Sequence, residues 1–255
     1  MKIGAIVQAR TSSTRLPGKV LKELPLGSGI TVLEQVIRRL KRSKKLNTIV
    51  IATTTDAQDD AIVEVVRKEN VVLFRGSRDD VLSRFYLAAK ENGLDVVVRI
   101  TSDCPCMDPD VLDMVISTHL ENKGDYTSNT LKRTYPRGLD VEVLNFDVLE
   151  GAYENAEHDF EKEHVTSYIY DTHPNMFKID HFTAPEGFDA SDIRATLDTE
   201  EDYKLLCTVF NHLYEENEFF GVKDLIAFIE EQPWVKSIND NVVQKNIQEE
   251  KGNKL

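Results

Sequence analysis

An α/β fold with a mostly parallel sheet, covered by helices on both faces, is predicted by two features of this sequence. Short runs rich in Val and Ile recur at Ile3–Val7, Thr48–Ala52, Val71–Phe74 and Val96–Ile100, and amphipathic stretches separate them. Alternation of this kind describes βαβ units whose strands are buried on both sides. The first run, Ile3–Val7, is a strand and too short for a signal-peptide core. Val32–Arg42 sets Val32, Val36, Ile37 and Leu40 on one helical stripe. Thr48–Ala52 is the second strand, followed by a helix over Ala57–Asn70 with Asp56 as its N-cap. Val71–Phe74 leads into a helix over Asp79–Asn92. The pairs Asp59-Asp60 and Asp79-Asp80 fall in first helical turns, where the dipole favours negative charge. After Val96–Ile100, Asp108 and Pro109 open a helix running to Leu120.

The second half is less regular. Leu139–Leu144, Phe177–Phe182 and Arg194–Leu197 read as strands, and Phe160–Tyr170, Thr199–Glu215 and Val222–Glu231 as helices. With neither an internal repeat nor a low-complexity linker, the expectation is one domain over residues 1–241 with an elaborated C-terminal half. A polar tail over residues 242–255 follows.

Composition narrows the function. The chain has 255 residues, 41% of them hydrophobic, enough for a sizeable core, and no apolar run long enough to span a bilayer. Three cysteines form no paired framework, which places the protein in a reducing cytoplasm. Cys104-Pro-Cys106 lacks a second Cys/His cluster and reads as two thiols in a turn. A net charge of −13 excludes broad nucleic-acid or membrane-surface binding. An anionic substrate therefore needs a local cluster of positive charge.

That cluster is Gln-Ala-Arg-Thr-Ser-Ser-Thr-Arg-Leu-Pro-Gly-Lys, residues 8–19, directly after the first strand. It holds Arg10, Arg15 and Lys19 in a Ser/Thr/Gly-rich loop that can meet a polyphosphate with cations, hydroxyls and backbone N–H groups. Its spacing is neither Walker A nor the dinucleotide glycine fingerprint. Ligands of open α/β sheets gather beyond the carboxyl ends of the strands, and four polar segments fall there: Gln8–Lys19, Thr53–Asp59, Arg75–Asp80 and Thr101–Asp108.

Asp103, just past a strand, reads either as a turn aspartate or as a ligand for Mg²⁺, with Asp198 as the second carboxylate. Asp198 reads equally as a plain N-cap for the helix after it. Asp108-Pro-Asp110 has the spacing of metal-dependent sugar transferases, although capping also explains it. Thr53 and Arg75-Gly76-Ser77 are candidates for base or ribose contact, or an ordinary turn. Arg137, Asp140 and Glu142, with His164, form a polar set that could hold a hydroxylated substrate. No Ser/His/Asp triad or Cys/His pair is legible.

Taken together, Gln-Ala-Arg-x-x-Ser-Thr-Arg-Leu-Pro-Gly-Lys-Val-Leu, Phe-Arg-Gly-Ser-x-Asp-Asp-Val-Leu, Arg-Ile-Thr-x-Asp-Cys-Pro and Gly-Leu-Asp-Val-Glu-Val resemble the cytidylyltransferase family. The order is most similar to the spore coat polysaccharide biosynthesis protein F group. A more distant likeness is to the enzymes that make CMP-sugars of 3-deoxy-manno-octulosonate and sialic acids. The resemblance runs from Lys2 to about Lys204. It implies a Rossmann-like nucleotidyltransferase fold, with Arg15 and Lys19 on the triphosphate and Ala9 and Arg10 against the nucleotide; Ser13, in the same loop, is a further nucleotide-binding candidate. It also implies Mg²⁺ held by Asp103 and Asp198, and a homodimer.

The expected reaction is attack of a sugar or sugar-acid oxygen on the α-phosphorus of a nucleoside triphosphate, CTP by resemblance, with loss of pyrophosphate. The expected product serves a surface or spore-coat polysaccharide. Two alternatives stay open: a nucleotide-sugar-dependent glycosyltransferase using Asp108-Pro-Asp110, and an inactive nucleotide-binding partner.

Overall fold

A computed structural model describes residues 1–186 and 188–244. The chain alternates β1 (Ile3–Gln8), α1 (Val32–Leu40), β2 (Thr48–Thr54), α2 (Asp60–Glu69), β3 (Val72–Gly76), α3 (Val81–Glu91), β4 (Val96–Thr101) and α4 (Pro109–Asn122). It continues through β5 (Tyr126–Ser128), β6 (Glu142–Asn145), α5 (Phe146–Asn155), α6 (Asp159–His164), β7 (Ile179–His181), α7 (Glu200–Leu213), α8 (Val222–Glu231) and α9 (Pro233–Lys236). The strands form one seven-stranded sheet in the order β3-β2-β1-β4-β6-β5-β7. Only β6 runs against its neighbours β4 and β5; every other pairing is parallel.

The period of two along each strand divides the core. Ala5 and Val7 of β1, with Val96, Val98 and Ile100 of β4, face α1, α4, α7 and α8. Ile6 and Val97 point the other way, to α3 and α5. Side chains alternate across a strand, so a strand covered on both faces is apolar throughout. That is why the four Val/Ile runs are legible as strands.

Local chemistry starts the helices. Thr31 caps α1 in a reciprocal box with Glu34. Asp80 caps α3 through Ser83 N–H. Asp56 makes no side-chain cap; the segment Ala57–Asp59 is a 3₁₀ turn, and α2 begins at Asp60. Asp108 accepts from Asp110 and Val111 N–H at the start of α4, and its other oxygen accepts from Val222 N–H at the start of α8. One buried carboxylate thus ties two helix ends together.

In the second half β5 and α5 are additional to the sequence expectations, and four expected segments differ. Phe160–Tyr170 is not one helix: α6 stops at His164, because Val165 takes φ 59° and ψ −58°, and Thr166 N–H bonds the His164 carbonyl at 2.6 Å. This is a γ-turn, a strained conformation for a β-branched residue. A short π-helical turn, Tyr168–Thr172, follows. Arg194–Leu197 is extended but joins no sheet; it bridges only Arg137, and then Leu197 N–H turns to the Asp103 carbonyl. The strand expected over Leu139–Leu144 begins at Glu142, and the one over Phe177–Phe182 covers only Ile179–His181. Of the expected polar tail, Val242–Gln244 are described and residues 245–255 lie outside the described residues. Among the described residues no helix is long and apolar enough to cross a membrane, and Cys104, Cys106 and Cys207 are free thiols.

Candidate active site

The carboxyl ends of β1 and β4 open into a cleft of about 280 Å³ lined by Ala9, Arg10, Ser13, Arg15, Lys19 and Asp103, among others. Its floor is the loop after β1, which is pinned from beneath. Thr11 donates its N–H and its hydroxyl to the fully buried Asp59, at 2.8 and 2.6 Å, and Thr54 Oγ1 donates to the other oxygen at 2.5 Å. Burial opposes ionisation of Asp59, yet the Thr11 and Thr54 bonds and the Arg84 charge hold its carboxyl below the usual range. Gly18 turns the loop at φ 68°, a left-handed conformation that suits glycine, and Lys19 opens the 3₁₀ turn beyond it.

Lys19 is the hub. Its Nζ donates to Asp103 Oδ2 at 2.6 Å, Leu197 O at 2.7 Å and Asp198 Oδ1 at 2.9 Å. Two carboxylates that are 95 residues apart in sequence thus meet on one nitrogen. Asp198 Oδ1 also takes Arg15 at 2.9 Å, and Oδ2 takes Arg194 at 2.8 Å. Burial works against charge on Lys19, but Asp103 and Asp198 outweigh it and raise its pKa above that of an ordinary lysine. Burial likewise opposes charge on Asp198, and Lys19, Arg15 and Arg194 reverse it, so the carboxyl ionises below its usual range.

The chain around Asp198 shows why it is available. The N-cap of α7 is Thr199, in a reciprocal box with Asp202, and Asp202 also accepts from the N–H groups of Asp198 and Thr199. Asp198 is therefore not spent on capping. The preceding segment is fixed by Leu197 N–H to Asp103 O at 2.9 Å and Ala195 N–H to Arg137 O at 2.7 Å. Gly138, at φ 105°, leaves room for this crossing; a Cβ there would lie 2.4 Å from Ala195 O.

Other expected residues are placed differently. His164 lines the cleft beside Glu163. Glu142 lies behind the wall, buried, accepting from Arg99, Tyr126 Oη and Thr166 Oγ1. Arg137 lines a separate recess beside Arg194 and Asn239, and Asp140 is held by both arms of Arg133. Thr53 is fully buried on β2. Arg75 clamps Thr54 O, Asp56 O and Asp60 rather than facing the cleft. Ser77 accepts from Asp80 N–H and borders an adjoining recess with Arg10. Gly76 ends β3 beneath the Arg84 side chain. Asp108 spends both oxygens on backbone N–H groups, away from the cleft, which removes it as a metal ligand for the glycosyltransferase alternative. Arg84 also lines the cleft, outside every site segment read from the sequence, and Gln8 and Arg99 line it from segments in which other residues carry the reading.

The sequence profile of the cytidylyltransferase family matches residues 4–232. The chain belongs to the cytidylyltransferase family. The spore coat polysaccharide biosynthesis protein SpsF of Bacillus subtilis is 35% identical over 233 residues, 89% of this chain and 94% of that protein. A solved cytidylyltransferase from Leptospira borgpetersenii superposes with a TM-score of 0.87 at 33% identity, covering 96% of this chain and 100% of that one. The structure of CMP:2-keto-3-deoxy-manno-octonic acid synthetase complexed with CTP shares the fold, at 13% identity and a TM-score of 0.62 over 84% of this chain and 100% of that one. This cytidylyltransferase-family chain is thus a nucleotidyltransferase of Rossmann-like α/β fold, and the cleft lies where such folds bind their ligands.

Proposed function

We propose that this protein transfers the cytidylyl group of CTP to a hydroxyl of a sugar or sugar acid, with Mg²⁺, releasing pyrophosphate. The observation that carries the reading is the meeting of Asp103, Asp198 and Arg15 around Lys19 Nζ. The sugar hydroxyl oxygen attacks the α-phosphorus, its proton passes to solvent water, the bond from that phosphorus to its bridging oxygen breaks, and pyrophosphate departs with the electron pair. Arg15 and Lys19 exchange their carboxylate partners for phosphate oxygens and offset the charge that builds on the leaving group. Arg194 remains on Asp198 and Asp202, so Asp198 keeps its orientation when Lys19 leaves.

Among the described residues no cluster of three or more His, Cys, Asp and Glu is set to hold a metal. Two hard carboxylates nonetheless fit Mg²⁺, which keeps several waters and takes phosphate oxygens as further ligands. Asp103 and Asp198 would hold it, and its chemistry there is that of a Lewis acid on the phosphates. His164 and Glu163, on the cleft wall, face the sugar in this reading, and the product serves a surface or spore-coat polysaccharide, as the relationship to SpsF suggests. The homodimer implied by the family resemblance belongs to the same proposal.

The test is pyrophosphate release across the four nucleoside triphosphates and a panel of sugars and sugar acids, with Mg²⁺. Turnover with CTP and a sugar acid, lost on Asp103→Asn, is the expected result. No release above background with any pair, or undiminished release by Asp103→Asn, refutes it.

A further inference from the structure

We propose that Thr166 positions His164 on the cleft wall, by holding Val165 in its strained turn through a bond to the buried Glu142. This rests on the reading that the wall at Glu163 and His164 faces the sugar. Val165 is the outlier that motivates it. Its φ of 59° and ψ of −58° make a γ-turn with the central residue at positive φ, which is rare and strained, the more so for a β-branched side chain. Among the described residues the other non-glycine positions at positive φ are Asn70 and Lys123, and both are ordinary left-handed caps at helix ends. Strain like that at Val165 persists only where the surroundings over-determine it, and it gathers at active sites.

The constraint comes from both sides of the turn. The Val165 side chain is fully buried in the core on the α3 and α5 face of the sheet. Thr166 is fully buried too, and its N–H closes the turn on the His164 carbonyl at 2.6 Å. Its Oγ1 donates to Glu142 Oε2 at 2.5 Å, where Tyr126 Oη also donates at 2.7 Å. Arg99 donates to the other oxygen, Glu142 Oε1, and reaches Gln8 Oε1 with Nη2 at 3.3 Å. Arg99 and Gln8 line the cleft, whereas Glu142 and Thr166 do not. One buried carboxylate thus connects the wall at His164 to the floor at Arg99.

The tether decides where α6 ends. Residues 160–170 have the pattern of a continuous helix, yet the chain reverses at Val165. A glycine would take this φ without strain; valine fills the core instead, and the Thr166 bond holds the backbone in place. Without that bond Val165 relaxes to negative φ, and His164 turns relative to Thr166. Thr166 and Glu142 are therefore positioning residues, which act on the substrate only through His164.

The experiment compares the wild type with Thr166→Val, which keeps the shape and loses the donor, and Thr166→Ser, which keeps the donor. Arg99 and Tyr126 still hold Glu142 in both variants. The His164 ring is followed by NMR on protein carrying isotope-labelled histidine, its signal assigned with His164→Gln, and CTP binding with Mg²⁺ is followed by calorimetry. In Thr166→Val the His164 signal should move while CTP affinity does not change. The kcat/KM for the sugar that turns over best should fall roughly 10- to 100-fold, the cost of a contact misplaced by about an ångström. Thr166→Ser should restore both. A bond that only stabilises the fold would lower the melting temperature and leave the His164 signal and the sugar kinetics alone; that result overturns the proposal, as does an equal loss for CTP and the sugar. The turn itself is checked with Val165→Gly and Val165→Ala: at positive φ the glycine variant should melt higher, the reverse of the ordinary order, and a higher-melting alanine variant also overturns the proposal. If no sugar turns over with CTP in the wild type, the cytidylyl-transfer reading fails, while the His164 signal still decides whether Thr166 sets that ring.

Discussion

Replacing Lys19 with methionine removes the ammonium shared by Asp103 and Asp198 while keeping most of the stem. The lost contacts are the three donors' bonds at 2.6, 2.7 and 2.9 Å. Removing one partner of a fully buried ion pair costs about 3–5 kcal/mol. The Lys19 side chain is 11% exposed, and Arg15 and Arg194 still hold Asp198, so the expected loss here is about 2–3 kcal/mol. For a chain of this size that lowers the melting temperature by about 4–12 °C. The variant then presents two carboxylates without the ammonium between them. With a dissociation constant of about 1 mM, 10 mM Mg²⁺ should return about 1.4 kcal/mol to the folded state, or about 3–6 °C. Wild-type protein without nucleotide should respond much less, because Lys19 already occupies both carboxylates. The assay is scanning calorimetry with EDTA and then with Mg²⁺. A Lys19→Met protein indifferent to Mg²⁺, or one whose response survives Asp103→Asn, would refute the two-carboxylate site.

Three further outcomes follow from the same geometry. Asp59 and Asp198 have depressed pKa values, so their stabilisation is complete above the ordinary 3.8 and fades as pH falls below it. Lys19, with a raised pKa, contributes fully below the ordinary 10.5 and loses that contribution only as pH climbs through its higher folded value. Melting temperature against pH should thus drop at both extremes, with the acid drop reduced in Asp59→Ala. Gly138→Ala should cost more than about 2 kcal/mol and abolish turnover, since φ 105° and the Ala195 carbonyl leave a methyl no room; wild-type melting and activity would contradict the tethering of Asp198. Thr199→Ala should cost about 1 kcal/mol as a lost N-cap, while Asp198→Asn should reduce pyrophosphate release at least a hundredfold; the opposite pattern would return Asp198 to a capping role.

The parts of the site legible in the sequence are those encoded locally. Arg15 and Lys19 sit in one loop directly behind a strand, and Asp103 follows another, so strand recognition alone brings them to one edge. Asp198 is ambiguous in the sequence because Asp-Thr-Glu-Glu before a helix is also what an N-cap predicts; in the structure Thr199 is the cap. What frees Asp198 for the cleft is the Thr199–Asp202 box, and what brings it there is Lys19 and Arg15, 179 and 183 residues away in sequence, which no local pattern contains. Asp140 and Glu142 alternate as a strand should, but Arg133 and Arg99 hold them out of the cleft, and Arg137, outside that alternation, bonds the Ile193 carbonyl through its backbone N–H. The break at Val165 was illegible, since a β-branched residue carries no hint of positive φ. β5 is only Tyr-Thr-Ser, with no apolar alternation, whereas α5 did leave a signal in Phe146, Val148, Leu149 and Ala152. Arg84 also left one: it falls in the buried stripe of α3, with Val81, Phe85 and Ala88, where a solvated arginine would not be placed.

In the proposed reaction, the arrangement around Lys19 is what would let a chain of charge −13 accept a triphosphate. Without substrate, Lys19, Arg15 and Arg194 are paired with Asp103 and Asp198. Any cation that takes the two carboxylates must displace Lys19 from both. The freed ammonium then lies beside phosphates that need it, and Arg15, bonded to the same Asp198 oxygen, is released by the same exchange. Arg194 is not released, because Asp202 holds it from the other side at 2.8 Å. The carboxylates therefore keep their geometry while their mobile partners change hands. In the proposed reaction, a nucleotide arriving without a cation would meet carboxylates and cations still paired with each other, which would disfavour its binding and couple it to that of the metal.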